Sequence, residues 1–241
     1  MINIKKKIIL FIVEGITDQT CLAYLLSKIL NSSQIEFALT RGDITSRNGI
    51  NISNIVESVG NIVKDFSGKI FKANDFIEVV HLIDMDGAFI GDRCIVSKNE
   101  HTPVDPDKPQ KPYYDTDFIY TNNIEAIKSR NHQKSGIINK LITLQCVWKT
   151  VPYSLYYFSC NLDHVLHNER NLLERQKYCY AEQFETTFGD SPSTFIDYIK
   201  DPKIGVSGDY IQTWDFIRLN NNSLNRFNNF HLFFHKPKNA R

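Results

Sequence analysis

Two carboxylates one residue apart, Asp84 and Asp86, close the apolar run Phe76, Ile77, Val79, Val80, Leu82, Ile83 and are followed at once by Gly87. A buried strand that ends in Asp-x-Asp-Gly projects its last carboxylates from the edge of a sheet, where open α/β sheets bind ligands and metals. The pattern has an upstream counterpart, because the apolar run Ile8 to Val13 stops at Glu14-Gly15-Ile16-Thr17-Asp18. A later apolar and aromatic segment, Leu155 to Ser159, runs into Cys160-Asn161-Leu162-Asp163, which puts a further acid just past a strand end. In a parallel sheet the carboxyl ends of the strands share one edge, so Glu14, Asp84, Asp86 and Asp163 are expected to converge there. Crowded carboxylates repel one another, and a hard divalent cation with oxygen ligands, magnesium or manganese, relieves that repulsion. The glycine after each acid motif points to close backbone approach. Each acid also has a plainer reading: Asp18 as a helix cap, Asp163 as a cap or turn, and the strand-end acids as solvated charges.

These acids need a scaffold, and the first ninety residues supply one by alternation. Ile8 to Val13 reads as a strand, and Thr17 or Asp18 caps a helix that carries Leu22, Leu25, Leu26 and Ile29. Ile35 to Leu39 is a second strand, Ile52 to Val63 a second amphipathic helix, and Phe76 to Ile83 a third strand. Strands alternating with helices predict a parallel α/β sheet. Beyond Gly87 lies a connector over 91–117 with prolines at 103, 106, 109 and 112, read as a stiff surface loop or a polyproline strip that docks a partner. Ile124 to Val147 reads as a helix, Leu155 to Ser159 as the fourth strand, and Asn171 to Phe188 as a polar helix. The expected organisation is a core over 1–165 with a mostly parallel four-stranded sheet, and a mainly helical carboxyl-terminal subdomain over 166–241.

Composition narrows the function class. The 241 residues, 42% hydrophobic, suffice for one sizeable core, and a net charge of +1 excludes a uniformly basic nucleic-acid coat. The charge is uneven: Ala126 to Leu162 contains Lys128, Arg130, Lys134, Lys140 and Lys149 and no acid, and Phe216 to Arg241 contains Arg218, Arg226, Lys236, Lys238 and Arg241 and no acid. Lys128, Arg130 and Lys134, at spacings of two to four on an expected helix, are the expected contacts to nucleic-acid phosphates; a solvated helix face is the plainer alternative. Five widely spaced cysteines without Cys-x-x-Cys argue against a disulfide framework and a zinc knuckle, and for small core residues in a reducing compartment. Lys5-Lys6-Lys7 followed by Ile8 to Val13 has too short an apolar region for a signal peptide, and no stretch reaches membrane-span length. A cytoplasmic location without membrane partners is the expectation.

Val13-Glu14-Gly15-x-x-Asp18 after a hydrophobic strand, followed by a helix and then Asp84-x-Asp86-Gly87 after a later strand, resembles the Toprim domain over about residues 7–90. Toprim domains occur in topoisomerases, primases, ribonuclease M5-like enzymes and overcoming-lysogenization-defect nucleases, and the match is closest to the nuclease branches. The resemblance implies a magnesium-dependent nuclease acting on DNA or RNA. Glu14 would be a ligand or general acid/base, Asp84 and Asp86 would hold the metal, and Asp18 would help to bind a second ion, with a looser fit to Asp163. Ala88 stands where a third acid extends the topoisomerase pattern, which argues against strand passage. A role in defence against phage is a further family expectation. Two readings compete. Haloacid dehalogenase phosphatases also end a strand in Asp-x-Asp-Gly, and Gly208-Asp209 echoes their late acidic motif, but that reading leaves Glu14-Gly15 without a role. A non-catalytic Toprim-like module binding nucleic acid or a protein partner is the third.

Overall fold

The computed structural model describes residues 7–30, 35–189 and 191–235. In chain order β1 (Ile8–Val13), α1 (Ile16–Ile29), β2 (Ile35–Leu39), α2 (Ile55–Ser67) and β3 (Phe76–Asp84) reproduce the predicted alternation. The proline connector then contains β4 (Ile95–Ser97) and β5 (Tyr113–Tyr114), and β6 (Ile119–Thr121) follows it. After these come α3 (Ile124–Ile142), β7 (Cys146–Val147), β8 (Val151–Ser159) and α4 (Leu162–His167). The remainder is α5 (Glu174–Phe188), α6 (Pro192–Lys200), α7 (Tyr210–Arg218), β9 (Phe227–Asn228) and α8 (His231–His235).

Four strands are parallel in the order β2-β1-β3-β8, and the short β7 and β9 pair antiparallel with opposite ends of β8. The sheet therefore has six strands, with a four-stranded parallel centre. Its central strands are apolar on both faces because both faces are covered, as parallel sheets require. Ile8, Leu10 and Ile12 of β1 face a layer with Val59 and Val63 of α2 and Ile137, Ile138 and Leu141 of α3. The alternate residues Ile9, Phe11 and Val13 face Leu22, Leu25 and Leu26 of α1. Among the described residues no helix is long and apolar enough to cross a membrane.

Two expectations need revision. The connector is ordered by its own pairing: β4 and β5 flank β6 in a three-stranded sheet whose Ile95, Tyr114 and Ile119 pack with Ile90 and Leu224. Lys98 Nζ donates to the carbonyls of Pro109 (2.9 Å) and Lys111 (2.7 Å), which folds the proline stretch back on itself. The segment beyond 165 is not a subdomain set apart from the core. Trp214 and Ile217 of α7 complete one layer, and Phe184, Phe195, Ile199, Phe230 and Phe233 complete the other. Cys21 and Cys160 are buried as expected, whereas Cys146 and Cys179 are exposed thiols.

Phe230 tests this integration. Its ring meets Phe11, Tyr156 and Phe158 edge-on and stacks on Phe233. Phe230→Ala should destabilise the whole chain by about 3–5 kcal/mol in one cooperative transition, followed by circular dichroism in urea. A separate low-denaturant transition with the main midpoint unchanged would instead mark an independent carboxyl-terminal unit.

Candidate functional site

The acids gather where the parallel strands end. Glu14 follows β1 and Asp84 ends β3, the neighbouring strand; the Asp84 amide donates to Glu14 Oε1 at 3.3 Å. Asp84 Oδ1 accepts the amide of Leu162 at 2.8 Å, at the start of α4, which joins this edge to the end of β8. Asp163 lies in the first turn of α4, and Asn161 caps that helix by accepting the His164 amide at 2.9 Å. Glu14, Asp84, Asp86 and Asp163 line one cleft of about 140 Å³. Asp18 stands beside it in a recess shared with Glu14 and Asp84, and its Oδ2 accepts the Gly15 amide at 2.8 Å, so the helix-cap reading of Asp18 holds alongside its place among the acids.

Asp86 is held by a tight turn. Asp86 (φ 50°) and Gly87 (φ 71°) are consecutive left-handed residues, a conformation that glycine adopts freely and Asp tolerates better than most. All their backbone polar groups are bonded: Asp86 N–H to Cys160 O (2.7 Å), Gly87 N–H to Ser223 O (3.1 Å), Asp86 O from Arg130 (2.8 Å) and Gly87 O from Asn131 (3.0 Å). A Cβ on Gly87 would come within 2.7 Å of Leu224 Cδ2 and 2.9 Å of Ile119 Cδ1.

The side chain of Asp86 is secured by Lys134. Lys134 is fully buried, and its Nζ bridges Asp86 Oδ2 and Asp43 Oδ2 at 2.8 Å each. Asp43 lies beyond β2, so all four parallel strands deliver an acid to this edge. This overturns the expectation that Lys128, Arg130 and Lys134 form a phosphate-binding face. Lys134 has no exposure with which to reach a polynucleotide. The Arg130 guanidinium is committed to Tyr114 Oη, Asn131 Oδ1 and Asp86 O, each at 2.8 Å. Lys128 is partly exposed, and it pairs with Glu125 at 2.8 Å. In the second basic segment Arg218 pairs with Asp215 and Arg226 donates to Val165 O, while Lys236, Lys238 and Arg241 lie outside the described residues.

Charge in the site is unevenly compensated. The Lys134 ammonium holds Asp43 ionised, far below the ordinary carboxylate range, and the two carboxylates raise the Lys134 pKa in turn. Glu14 and Asp84 have no ion-pair partner among the described residues. Burial, then Asp43 and Asp84, pushes the Glu14 pKa well up; burial, then Asp18 and Asp86, does the same to Asp84. Asp18 rises from 3.8 to about 6, through burial first and then Asp163 and Glu174, against the Gly15 amide and Lys177. Lys177 stands 3.4 Å from Asp163 Oδ2. Among the described residues no three His, Cys, Asp or Glu side chains form a closed ligand group. The donors are nevertheless hard oxygens, and magnesium commonly takes only one or two carboxylates and keeps several waters.

Sequence reasoning missed Asp43, Lys111, Arg170 and Lys177. Asp43 carried a readable signal, because Gly42-Asp43 follows β2 much as Glu14-Gly15 follows β1; the three cations carried none. Asp209, the faint echo of a phosphatase motif, caps α7 by accepting the Gln212 amide at 2.9 Å and lines a different groove. No protein-family model, curated protein or solved structure matches this chain.

Two outcomes follow from these charges. Lys134→Met strands two carboxylates, so it should destabilise by about 3–5 kcal/mol at pH 7 in urea titration, while Lys128→Met should leave the midpoint nearly unchanged. Equal effects would place Lys134 at the surface. Because the Asp18 pKa is higher folded than unfolded, the folded state holds the extra proton between pH 4 and 6, and stability falls as pH rises through that window. Asp18→Asn keeps the cap acceptor and should remove on the order of 2 kcal/mol of that fall in chelator-treated protein. Superimposable pH profiles of the two proteins would refute the assignment.

Proposed function

We propose that this chain is a magnesium- or manganese-dependent phosphodiester hydrolase acting on nucleic acid, built on a Toprim-like core. The observation that carries this reading is the pair Glu14 and Asp84, enclosed beside Asp86 at the ends of adjacent parallel strands and without a cationic partner among the described residues. Two such carboxylates destabilise each other when both are ionised, and a divalent cation relieves this while using them as ligands. The Toprim-like assignment draws its support from the acid-Gly end of β1, the Asp-x-Asp-Gly end of β3 and the helical crossovers between parallel strands.

In this reading Asp84 and Asp86 would hold the ion, Glu14 would be a further ligand or general acid/base, and Asp18 would help to bind a second ion. When bound, the ion acts as a Lewis acid on the phosphoryl oxygens and lowers the pKa of attacking water. Hydrolysis forms a bond from a water oxygen to phosphorus and breaks one P–O ester bond, and the water must lose a proton as it attacks. Glu14, whose proton affinity is raised by burial, is suited to receive that proton once it is ionised. Lys134 and the bonded turn at Asp86-Gly87 keep one ligand in a fixed place, so that orientation precedes substrate arrival.

Magnesium or manganese at millimolar concentration should raise the melting temperature by several degrees, and Asp84→Asn should abolish the rise. Against a panel of single- and double-stranded DNA and RNA, Glu14→Gln, Asp84→Asn and Asp86→Asn should each lower cleavage at least about a hundredfold, with Asp163→Asn costing less. Failure of the wild type to bind either ion in calorimetry would end the catalytic reading.

A further inference from the structure

The cleft that holds the acids has a second set of side chains: Lys111 from the proline connector, Arg170 from the loop after α4, and Lys177 from α5 line it together with Glu14, Asp84, Asp86 and Asp163. These cations differ from Lys134, whose fully buried ammonium makes two contacts of 2.8 Å within the protein. Lys177 meets Asp163 only at 3.4 Å, and Arg170 Nη1 meets Asp115 only at 3.8 Å, beyond hydrogen-bond reach. Arg170 Nε is buried with no hydrogen-bond partner, although the whole side chain is only 17% exposed. The buried Nε–H without an acceptor is costly, and Nη1 has no partner within hydrogen-bond distance at Asp115.

The frame around Arg170 is rigid. Asn161 Nδ2 donates to its carbonyl at 2.9 Å. Its neighbour Asn171 clamps β5, accepting the Tyr114 amide at 2.8 Å and donating to the Tyr114 carbonyl at 2.7 Å. Tyr114 Oη in turn receives Arg130, which also grips the Asp86 carbonyl. The Arg170 loop and the Asp86 turn are thus tied through one chain of bonds. Lys98 fixes the Lys111 carbonyl at 2.7 Å.

We propose that Lys111, Arg170 and Lys177 form an anion subsite that receives one phosphate group of a polynucleotide, in the same cleft as the metal-binding acids. The identity of the anion rests on the hydrolase reading; the subsite itself rests on the cations. A guanidinium fork fits phosphate oxygens in pairs, and flanking ammonium groups add point charge. Carboxylates beside the subsite repel a bare anion, so anion binding should strengthen when a divalent ion is present. The cleft of about 140 Å³ has room for one phosphate group and its waters.

The test is fluorescence anisotropy of a labelled single-stranded oligonucleotide with calcium as the non-catalytic ion, across salt concentrations, with calorimetry of calcium alone. Arg170→Gln should weaken oligonucleotide binding about ten- to a hundredfold, and Lys111→Gln about three- to tenfold. Each lost contact should lower the log–log salt slope by about 0.7. Calcium binding without oligonucleotide should stay within about twofold of wild type. Unchanged affinity and slope in both variants, or no oligonucleotide binding by the wild type, overturns the subsite. If Arg170→Gln fails to fold by circular dichroism, Lys111→Gln with Lys177→Gln decides in its place. Wild type that binds no divalent ion but holds the oligonucleotide in an Arg170-dependent way would sink the hydrolase reading and leave the subsite standing. Metal-dependent cleavage retained with full oligonucleotide affinity in the variants would do the reverse.

Discussion

The ammonium of Lys134 between Asp43 and Asp86 is the interaction on which this edge of the protein depends. Four parallel strands ending side by side each bring an acid to the same place, and that much negative charge in a partly enclosed space opposes folding. Lys134 neutralises two of the acids from inside the protein, with no exposure to solvent. A buried ion pair is a weak source of net stability because desolvation offsets much of the attraction, but removing one partner leaves a bare buried charge. The contact therefore acts as a constraint: α3 must dock where its lysine reaches both β2 and β3. The same helix then presents Arg130 and Asn131 to the backbone of the Asp86-Gly87 turn.

That arrangement divides the acids into two groups. Asp43 and Asp86 are paired with Lys134 at 2.8 Å each, whereas Glu14 and Asp84 form no ion pair among the described residues and burial raises their pKa values well above the ordinary carboxylate range. In the proposed hydrolase, a cation that took Glu14 and Asp84 as ligands would displace protons from them, so its binding would depend on pH.

How much of this was legible depended on sequence distance. β1 and β2 were readable to the residue, and β3 to within one; β1 is an unbroken apolar run because both its faces are covered, while the edge strand β2 and the longer β3 are mostly apolar segments between polar stretches. Glu14, Asp84, Asp86 and Asp163 were readable as strand-end acids for the same reason. The function of α3 was not. Its stretch from Ala126 onward contains no acid, which reads as a basic face, but the partners of Lys134 lie 91 and 48 residues away, and no local pattern reveals them. β4, β5 and β6 are two or three residues long, too short for a period-two signal, and they sit among prolines that argue for a loop. The carboxyl-terminal segment looked polar and separate because its core residues, Phe184, Phe195, Trp214, Phe230 and Phe233, are scattered among short helices.

Positive charge near the cleft falls into two physical kinds, and the difference separates structure from binding. Lys134 and Arg130 belong to the helix packed beneath the strands, and their donors are consumed within the protein at short distances. Lys111, Arg170 and Lys177 come from the connector and the carboxyl-terminal elements, and the ion pairs of Arg170 and Lys177 are long. A cation already bonded at 2.8 Å cannot bind an incoming anion without breaking that contact, while a cation at 3.4 Å or more has its strongest interaction still to make. The cations with contacts still to make therefore come from the segments added around the parallel core, and those already bonded come from the helix within it.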